Sequence, residues 1–126
     1  MTTSALLDIA PIKPSQYRKV LSDWLKSAGD QSAHIDLDAY RLFVEPRLRL
    51  VQVVSPVDWP DGVTAWCCIE GETLHYVYTS RTYRRLGIID YMLSEHRLVD
   101  YTFRRPPYSG RIAERYGLAF KDWRTL

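Results

Sequence analysis

The stretch LHYVYTSRTYRRLGIIDYML, residues 74–93, decides how the rest of the chain is interpreted. Its first six residues are mostly aromatic, β-branched or aliphatic, which predicts a strand. The loop that follows is rich in arginine and ends at Gly87. Apolar residues then recur with the spacing of one helical face, at Ile88, Ile89, Met92 and Leu93. The stretch therefore predicts a strand, a basic loop and a helix, in that order.

This layout is typical of an anion-binding site. The first turn of a helix has main-chain N–H groups without partners and carries the positive end of the helix dipole. A glycine at position 87 lets a phosphate approach the main chain, and Arg81, Arg84 and Arg85 supply positive charge. The alternative is a solvated arginine loop between a strand and a helix, because runs of charge usually lie at the surface.

Residues 84–89, RRLGII, resemble the pyrophosphate loop of the GCN5-related N-acetyltransferases (GNAT superfamily), which has the pattern Gln/Arg-x-x-Gly-x-Gly/Ala. Arg84 and Gly87 match this pattern, whereas Ile89 stands where the family has a small residue. The preceding apolar-His-Tyr-Val-Tyr strand and Leu93 in the following helix strengthen the resemblance. It covers residues 12–123 and is specific only from 63 to 93. The length is similar to that of the short members of the family, many of which are phage-encoded.

The resemblance implies an α/β (α+β) fold, in which a twisted mixed β-sheet is flanked by helices in one domain over residues 1–126. In this fold the strand at 74–79 splays from the next strand, and the pantetheine arm of acetyl-CoA pairs with its exposed main chain. The residues that the resemblance assigns to the cofactor are Val77, Tyr78, Thr79, Arg84, Arg85, Leu86, Gly87, Ile88 and Ile89.

The activity that the resemblance implies is transfer of an acetyl group from acetyl-CoA to an amine. Such a transfer uses a base that removes the ammonium proton and an acid that protonates the departing thiolate. Glu70, Glu72 and His75 are the candidate bases, and Tyr108 or Tyr116 is the candidate acid. Each has a structural alternative: a satisfied histidine in a strand, solvated carboxylates at a turn, and tyrosines packed in the core.

The sequence does not select the acceptor among a small-molecule amine, a protein amine and a modified nucleobase. Residues 1–80 contain 7 Lys/Arg and 10 Asp/Glu, whereas residues 81–126 contain 10 and 5. The basic half begins at the candidate phosphate loop, which favours an anionic acceptor or partner. Two other hypotheses remain open: a catalytically inactive GNAT-fold protein, phage-derived, that binds a host protein or nucleic acid, and a nucleic-acid-binding module whose arginines contact phosphates.

Composition indicates an ordinary globular chain, with 126 residues, 46% of them hydrophobic and 25% charged. Adjacent Cys67 and Cys68 would point to opposite faces of a strand, so neither a disulfide between them nor a thiolate metal site is expected. The N-terminal residues have no basic start and no long apolar run, so we expect no signal peptide, no membrane span and a cytoplasmic location.

Periodicity predicts the other elements. Strands are predicted over 50–55, 63–69, 99–103 and 118–120, the first two forming an antiparallel meander with 74–79. A helix capped by Ser15 is predicted to end near Ala28–Gly29, and a second helix is predicted from Ser109 to Gly117. Residues 1–12 are extended, and residues 39–50 form either a helix ending near Pro46 or an irregular segment. His34, Asp36 and Asp38 would share one face if extended; no metal site is predicted there, because a wet strand or loop explains them.

Overall fold

The computed structural model describes residues 6–31, 36–84, 86–103 and 107–126, and it describes side chains for residues 6–27, 36–84, 86–103 and 111–126. Within these residues the strands are β1 (Leu7–Pro11), β2 (Val51–Pro56), β3 (Ala65–Glu70), β4 (Thr73–Thr79), β5 (Asp100–Tyr101) and β6 (Ala119–Phe120). The helices are α1 (Tyr17–Gln31), α2 (Leu37–Val44), α3 (Ile88–Leu93) and α4 (Pro107–Arg115). Short 3₁₀ turns lie at Pro14–Gln16, Glu45–Leu50, Arg81–Tyr83 and Trp123–Thr125.

The strands form one mixed sheet in the order β1-β2-β3-β4-β5-β6. Neighbours from β1 to β4 are antiparallel, whereas β5 runs parallel to both β4 and β6. The tight turn between β3 and β4 is possible because Gly71 adopts a φ of 62°, which other residues rarely take. The predicted antiparallel meander and the predicted mixed sheet flanked by helices are both confirmed.

One face of the sheet is covered by α1 and α2 through aromatic side chains. Trp24 of α1 is fully buried and packs on Trp66 of β3, with 5.3 Å between ring centroids. Its indole N–H donates to the hydroxyl of Tyr40 in α2 at 2.9 Å, which ties the two helices together. Trp123, near the end of the chain, packs against Tyr40, with 5.2 Å between ring centroids.

The other face of the central strands is covered by α3. Successive residues of a strand point to opposite faces, so Cys67 lies on the face opposite Trp66. Cys67 is fully buried, and α3 packs on both β3 and β4 with Ile88, Ile89, Met92 and Leu93 buried. The helical face predicted from these four residues is confirmed, although α3 spans only six residues.

Two predicted helix boundaries are wrong. Ser15 does not cap the first helix: it lies inside the 3₁₀ turn Pro14–Gln16, whose N-cap residue is Lys13, and Gln16 Oε1 accepts a hydrogen bond from the Lys13 N–H at 2.9 Å. This helix continues through Gly29 to Gln31 because its buried stripe, which includes Trp24, stabilises it by more than the roughly 1 kcal/mol that an internal glycine costs.

The last helix and the fourth predicted strand also differ from their predictions. Ser109 lies inside α4, which begins two residues earlier at Pro107, a residue type that suits the first turn of a helix. The strand predicted over 99–103 is reduced to the two residues of β5. The closing glycine was predicted correctly, and Gly117 has a φ of 66°.

The polar segment around Asp36 is a helix start rather than the strand or loop that its sequence suggested. The Asp36 carboxylate accepts hydrogen bonds from the main-chain N–H groups of Asp38 and Ala39, at 3.1 and 3.2 Å, and so caps α2. His34 lies outside the described residues. Across the part of the chain that is described, no group of three or more His, Cys, Asp or Glu side chains is placed to hold a metal ion. Among the helices of that part, none combines the length and the apolar character needed to span a membrane.

Candidate functional site

The parallel pairing of β4 with β5 ends well before β4 does. The ladder consists of Thr73 opposite Asp100 and Leu74 opposite Tyr101, followed by a hydrogen bond from the Thr102 N–H to the Leu74 carbonyl at 3.1 Å. Strand β4 continues for five more residues, to Thr79. In the described part of the chain, those residues have no ladder partner on the β5 side, so the strand separation implied by the resemblance is present.

An irregularity in β4 lies at the point of separation. Leu74 pairs with Ile69 and Tyr76 pairs with Cys68, so His75 has no partner of its own on β3. A bulge of this kind bends the strand that carries the extra residue and increases its local twist. The bend therefore occurs where β4 leaves β5.

A cavity of about 550 Å³ opens beyond the last residue of β4. Its walls come from the end of β4, the basic loop, the first turn of α3 and the facing side of α4. The lining residues are Thr79, Tyr83, Arg84, Gly87, Ile88, Ile89, Asp90, Arg111, Ile112 and Arg115. The basic loop, the strand end and the last helix, which are far apart in the sequence, thus meet around one open space.

The glycine turn faces this space without obstruction. Gly87 has a φ of 76°, and a Cβ atom added to it would meet no other atom within 4 Å. Ile89, the residue that departs from the GNAT pattern, is only 8% exposed because its side chain packs in the hydrophobic core. The cavity therefore remains open despite the larger side chain at position 89.

Three arginines and one aspartate make the cavity basic. Arg84 donates from Nε to the Thr79 carbonyl at 3.3 Å, at the end of β4. Arg115 donates to Asp90 Oδ1 at 2.8 Å, and the Tyr116 hydroxyl donates to the same oxygen. Burial, together with the bond to Asp90, raises the pKa of Tyr116. Asp90 is thus held by α4, and Arg111 adds a further positive charge to the wall.

Sequence reasoning did not identify Arg111 and Arg115 as site residues. Their spacing of four places both on one face of α4, and that spacing, together with the excess of arginine after residue 80, was the available signal. What the sequence could not show is that this face lies across the cavity from Gly87.

The predicted cofactor-binding residues fall into three groups. Thr79, Arg84, Gly87, Ile88 and Ile89 line the cavity. Val77 is in the core and Tyr78 stacks on Trp66, and neither residue lines the cavity. Leu86 is 49% exposed and lines no part of the cavity, and Arg85 lies outside the described residues.

The hydroxyl group of Thr79 is a polar atom that the fold leaves unsatisfied. Thr79 is 1% exposed and lines the cavity. Its Oγ1 is buried and has no hydrogen-bond partner among the described residues. Buried polar groups are nearly always paired, so an unpaired one at a cavity wall points to a ligand or water that satisfies it.

His75 lies in a buried network rather than at a free surface. The ring has no exposed surface, and Nδ1 and Nε2 lie 2.8 Å from Thr102 Oγ1 and Glu70 Oε1 respectively. An ionised carboxylate can only accept, so Nε2 carries the proton and donates, while Nδ1 of the neutral ring accepts from the Thr102 hydroxyl. This bonding favours a structural role for His75, in which it fastens β4 to β5 at the bulge.

Glu70 joins this network to α2. Arg47 donates to Glu70 Oε1 at 3.1 Å and lies over the Phe43 ring, 4.0 Å from its centroid. The hydrogen bond from His75 is the largest cause that lowers the pKa of Glu70, while burial lowers the pKa of His75 below its usual value of 6.5. Both pKa shifts are consistent with a neutral His75 that lies between the ionised carboxylate of Glu70 and the hydroxyl of Thr102.

This network makes the stability of the protein depend on pH. Below about pH 6.5 His75 takes up a proton in the unfolded chain, whereas its lowered pKa keeps it neutral in the folded chain. The free energy of unfolding should therefore fall as the pH falls. Ionised Glu70 also stabilises the folded chain at any pH above 4.5, its usual pKa. This contribution is lost as the pH falls through the lowered pKa that Glu70 has in the folded chain. Urea unfolding between about pH 7.5 and 3 should show this decline, and His75→Gln should lack the part of it above about pH 4.5. A free energy of unfolding that is unchanged from about pH 7.5 to 5.5 would contradict the assignment.

Two other side chains relevant to acyl transfer are Tyr108, the candidate acid, and Cys67. Tyr108 belongs to the backbone of α4, and its side chain lies outside the described residues, so its role as an acid stays a prediction. Burial raises the pKa of the Cys67 thiol to about 12, which leaves it protonated and unsuited to act as a nucleophile.

Comparison with known proteins gives a structural likeness only. The sequence matches no protein-family model and no curated protein sequence. A protein described as a possible acetyltransferase from Clostridium difficile 630 superposes with a TM-score of 0.57 and 17% identity, over 89% of this chain and 88% of that chain. An acetyltransferase of the GNAT family from Listeria monocytogenes 4b F2365 gives 0.55 and 14%, over 96% and 91%. The apo form of YjaB from Escherichia coli gives 0.52 and 13%, over 89% and 80%.

These likenesses span 89–96% of this chain and 80–91% of the other chains; one of the three proteins is described as a GNAT-family acetyltransferase and another as a possible acetyltransferase. At this level of identity, what is shared is the fold. The early separation of β4 from β5 and the basic cavity at the end of β4 are features of this chain that agree with it. The chain has the fold of the GCN5-related N-acetyltransferases, as the resemblance of residues 84–89 predicted.

Proposed function

We propose that this protein is an N-acetyltransferase that uses acetyl-CoA as its acyl donor. The observation that carries the proposal is the basic cavity of about 550 Å³ at the end of a strand that has left its parallel neighbour. Coenzyme A has the complementary chemistry, since it joins a phosphorylated end to a long arm that contains amide groups. The arm requires main-chain partners, and the phosphates require positive charge.

The residues around the cavity fit such a ligand. Gly87 leaves its main chain open to a phosphate, and Arg84 and Arg111 supply positive charge close by. The hydroxyl of Thr79 is available as a hydrogen-bond partner. Because α3 is only six residues long, we attribute the attraction for anions to the arginines rather than to the dipole of this helix.

The strand that leads to the cavity would hold the arm of the cofactor. The main chain of β4 from Val77 to Thr79 lies beyond the last pair with β5, so it can bond to an extended ligand. When bound, acetyl-CoA would supply an acetyl thioester for attack by an amine. The chain would orient that thioester through β4, next to the bulge at His75.

Within this proposal Glu70 is the candidate general base and Tyr108 the candidate acid. The Glu70 side chain is 44% exposed, and its lowered pKa keeps it ionised at neutral pH. The same lowered pKa makes it a weak proton acceptor, because a base works best with a pKa near the working pH. His75 then acts as a positioning residue that holds Glu70.

Thermal unfolding in the presence of acetyl-CoA tests the binding part of the proposal. A ligand at about a hundred times its dissociation constant stabilises the native state by about 2.7 kcal/mol, which should raise the melting temperature by roughly 10 °C in a chain of this size. Acetyl-pantetheine, which carries the arm without the nucleotide, should give a much smaller increase. No increase with acetyl-CoA would remove the basis of the proposal.

A second candidate function is binding without catalysis. Glu70 Oε1 accepts hydrogen bonds from both Arg47 and His75, so neither Glu70 nor His75 is a base without partners, and this favours binding without catalysis. The two candidate functions are distinguished by testing acetyl transfer to three classes of acceptor: small-molecule amines, a lysine-rich protein and aminoalkyl nucleobases. Stabilisation by acetyl-CoA with release of free thiol indicates the enzyme, and stabilisation without release over all three classes indicates the binding protein.

A further inference from the structure

Arg111 differs from the other arginines around the cavity. Arg84 bonds to the Thr79 carbonyl, and Arg115 is paired with Asp90. Arg111 lies one helical turn before Arg115 on α4 and lines the same cavity. It makes no hydrogen bond or ion pair with any residue that the structure describes.

The anchoring of α4 explains why Arg111 lies where it does. Arg115 and the Tyr116 hydroxyl both donate to Asp90 Oδ1, which fastens the end of α4 to the first turn of α3. Ile112, next to Arg111, is 4% exposed and packs into the core. These contacts hold the face that carries Arg111 against the cavity.

We propose that Arg111 forms a second wall of the anion site and contacts the diphosphate of the cofactor from the side opposite Gly87. The proposal rests on the proposed function for the identity of the ligand. An arginine can donate two parallel hydrogen bonds to phosphoryl oxygens, and one that has no protein partner loses none of its own bonds when it does so. The unpaired Thr79 hydroxyl, buried in the wall of the same cavity, is a second observation, which points to a ligand or water that completes this space.

Asp90 acts on the site through Arg115 and Tyr116, so it is a positioning residue. Its carboxylate neutralises Arg115, which leaves Arg111 as the arginine of α4 available to a ligand. The diphosphate is then held between the loop that precedes α3 and the exposed face of α4. The last helix thereby becomes part of the cofactor site rather than only a cover for the sheet.

Calorimetric titration of Arg111→Gln with two probes tests the proposal. The probes are coenzyme A and 3′-dephospho-coenzyme A, which share the diphosphate and differ in the ribose phosphate. Loss of a charged hydrogen bond should weaken binding of both probes by about tenfold at low salt. Arg111→Lys keeps the charge but cannot form two parallel hydrogen bonds, so its affinity for both probes should lie between those of Arg111→Gln and the wild type.

Arg18→Gln is the matched control, because Arg18 is exposed on α1 and lines no part of this cavity. It should leave both affinities within about twofold of the wild type. If Arg111→Gln binds both probes as the wild type does, Arg111 is not a contact and the inference is overturned. A loss confined to coenzyme A would overturn the diphosphate assignment, since only the ribose phosphate would then be involved. Failure of the wild type to bind either probe would instead refute the proposed function.

Discussion

Gly87→Asp is expected to remove most of the stabilisation of the protein by acetyl-CoA while the protein stays folded. Asp is one of the few residues that tolerate the left-handed conformation, and the new Cβ would meet no atom within 4 Å. Its carboxylate would stand in the cavity where a phosphate is proposed to bind. Two unit charges about 4 Å apart near a protein surface repel by about 4 kcal/mol, and half of that would weaken binding roughly thirtyfold.

Two matched variants separate charge, bulk and backbone strain in this experiment. Gly87→Asn has nearly the same size and conformational tolerance without the charge, so it should retain more of the shift in melting temperature than Gly87→Asp does. Gly71→Asp introduces the same residue at a φ of 62°, again with no atom within 4 Å of the new Cβ, but away from this cavity. Gly71→Asp should lower the free energy of unfolding about as much as Gly87→Asp does, but it should keep the full rise in melting temperature with acetyl-CoA. An unchanged shift in Gly87→Asp would mean that no phosphate binds beside this turn.

His75→Ala should be among the most destabilising single substitutions in the protein, at about 3–4 kcal/mol. The substitution leaves a cavity at a fully buried position beside Phe43, whose ring lies 5.0 Å from that of the histidine. It also leaves the hydroxyl of Thr102 without its partner, which adds the cost of an unsatisfied buried group. Urea unfolding of both proteins at neutral pH measures the difference.

Thr102→Val is the matched variant for this second prediction. It keeps the shape of the threonine and removes only its hydroxyl, so it should cost about 1 kcal/mol. The comparison separates the hydrogen bond at the strand junction from the volume of the histidine ring. If His75→Ala cost less than about 1 kcal/mol, the ring would not be the buried tie between β4 and β5 that the structure shows.

Much of the site around Gly87 could be predicted because it is local in the sequence. A β-rich run, an arginine loop with one glycine and an apolar helical face follow one another within twenty residues. Turn residues and hydrophobic periodicity are signals of this short range, and they correctly predicted the strand, the loop and the apolar face of α3. The same reasoning left the acidic segment at Asp36 as a strand or a loop and missed the helix cap, because a cap and an alternating strand share the same polar residues.

The rest of the site could not be read from the sequence, because it depends on residues that meet only in the folded chain. Arg111 follows Gly87 by 24 positions, and only the packing of α4 brings its face to the cavity. His75 was a candidate base by its ordinary chemistry, and the tertiary partners Thr102 and Glu70 engage both of its nitrogens. The sequence by itself determined the glycine turn, which follows from short-range patterns, and the fold class, which followed from the resemblance of residues 84–89 to a known family. The tertiary structure decided which side chains are satisfied and which are left for a ligand, because burial and hydrogen bonding depend on contacts between distant segments.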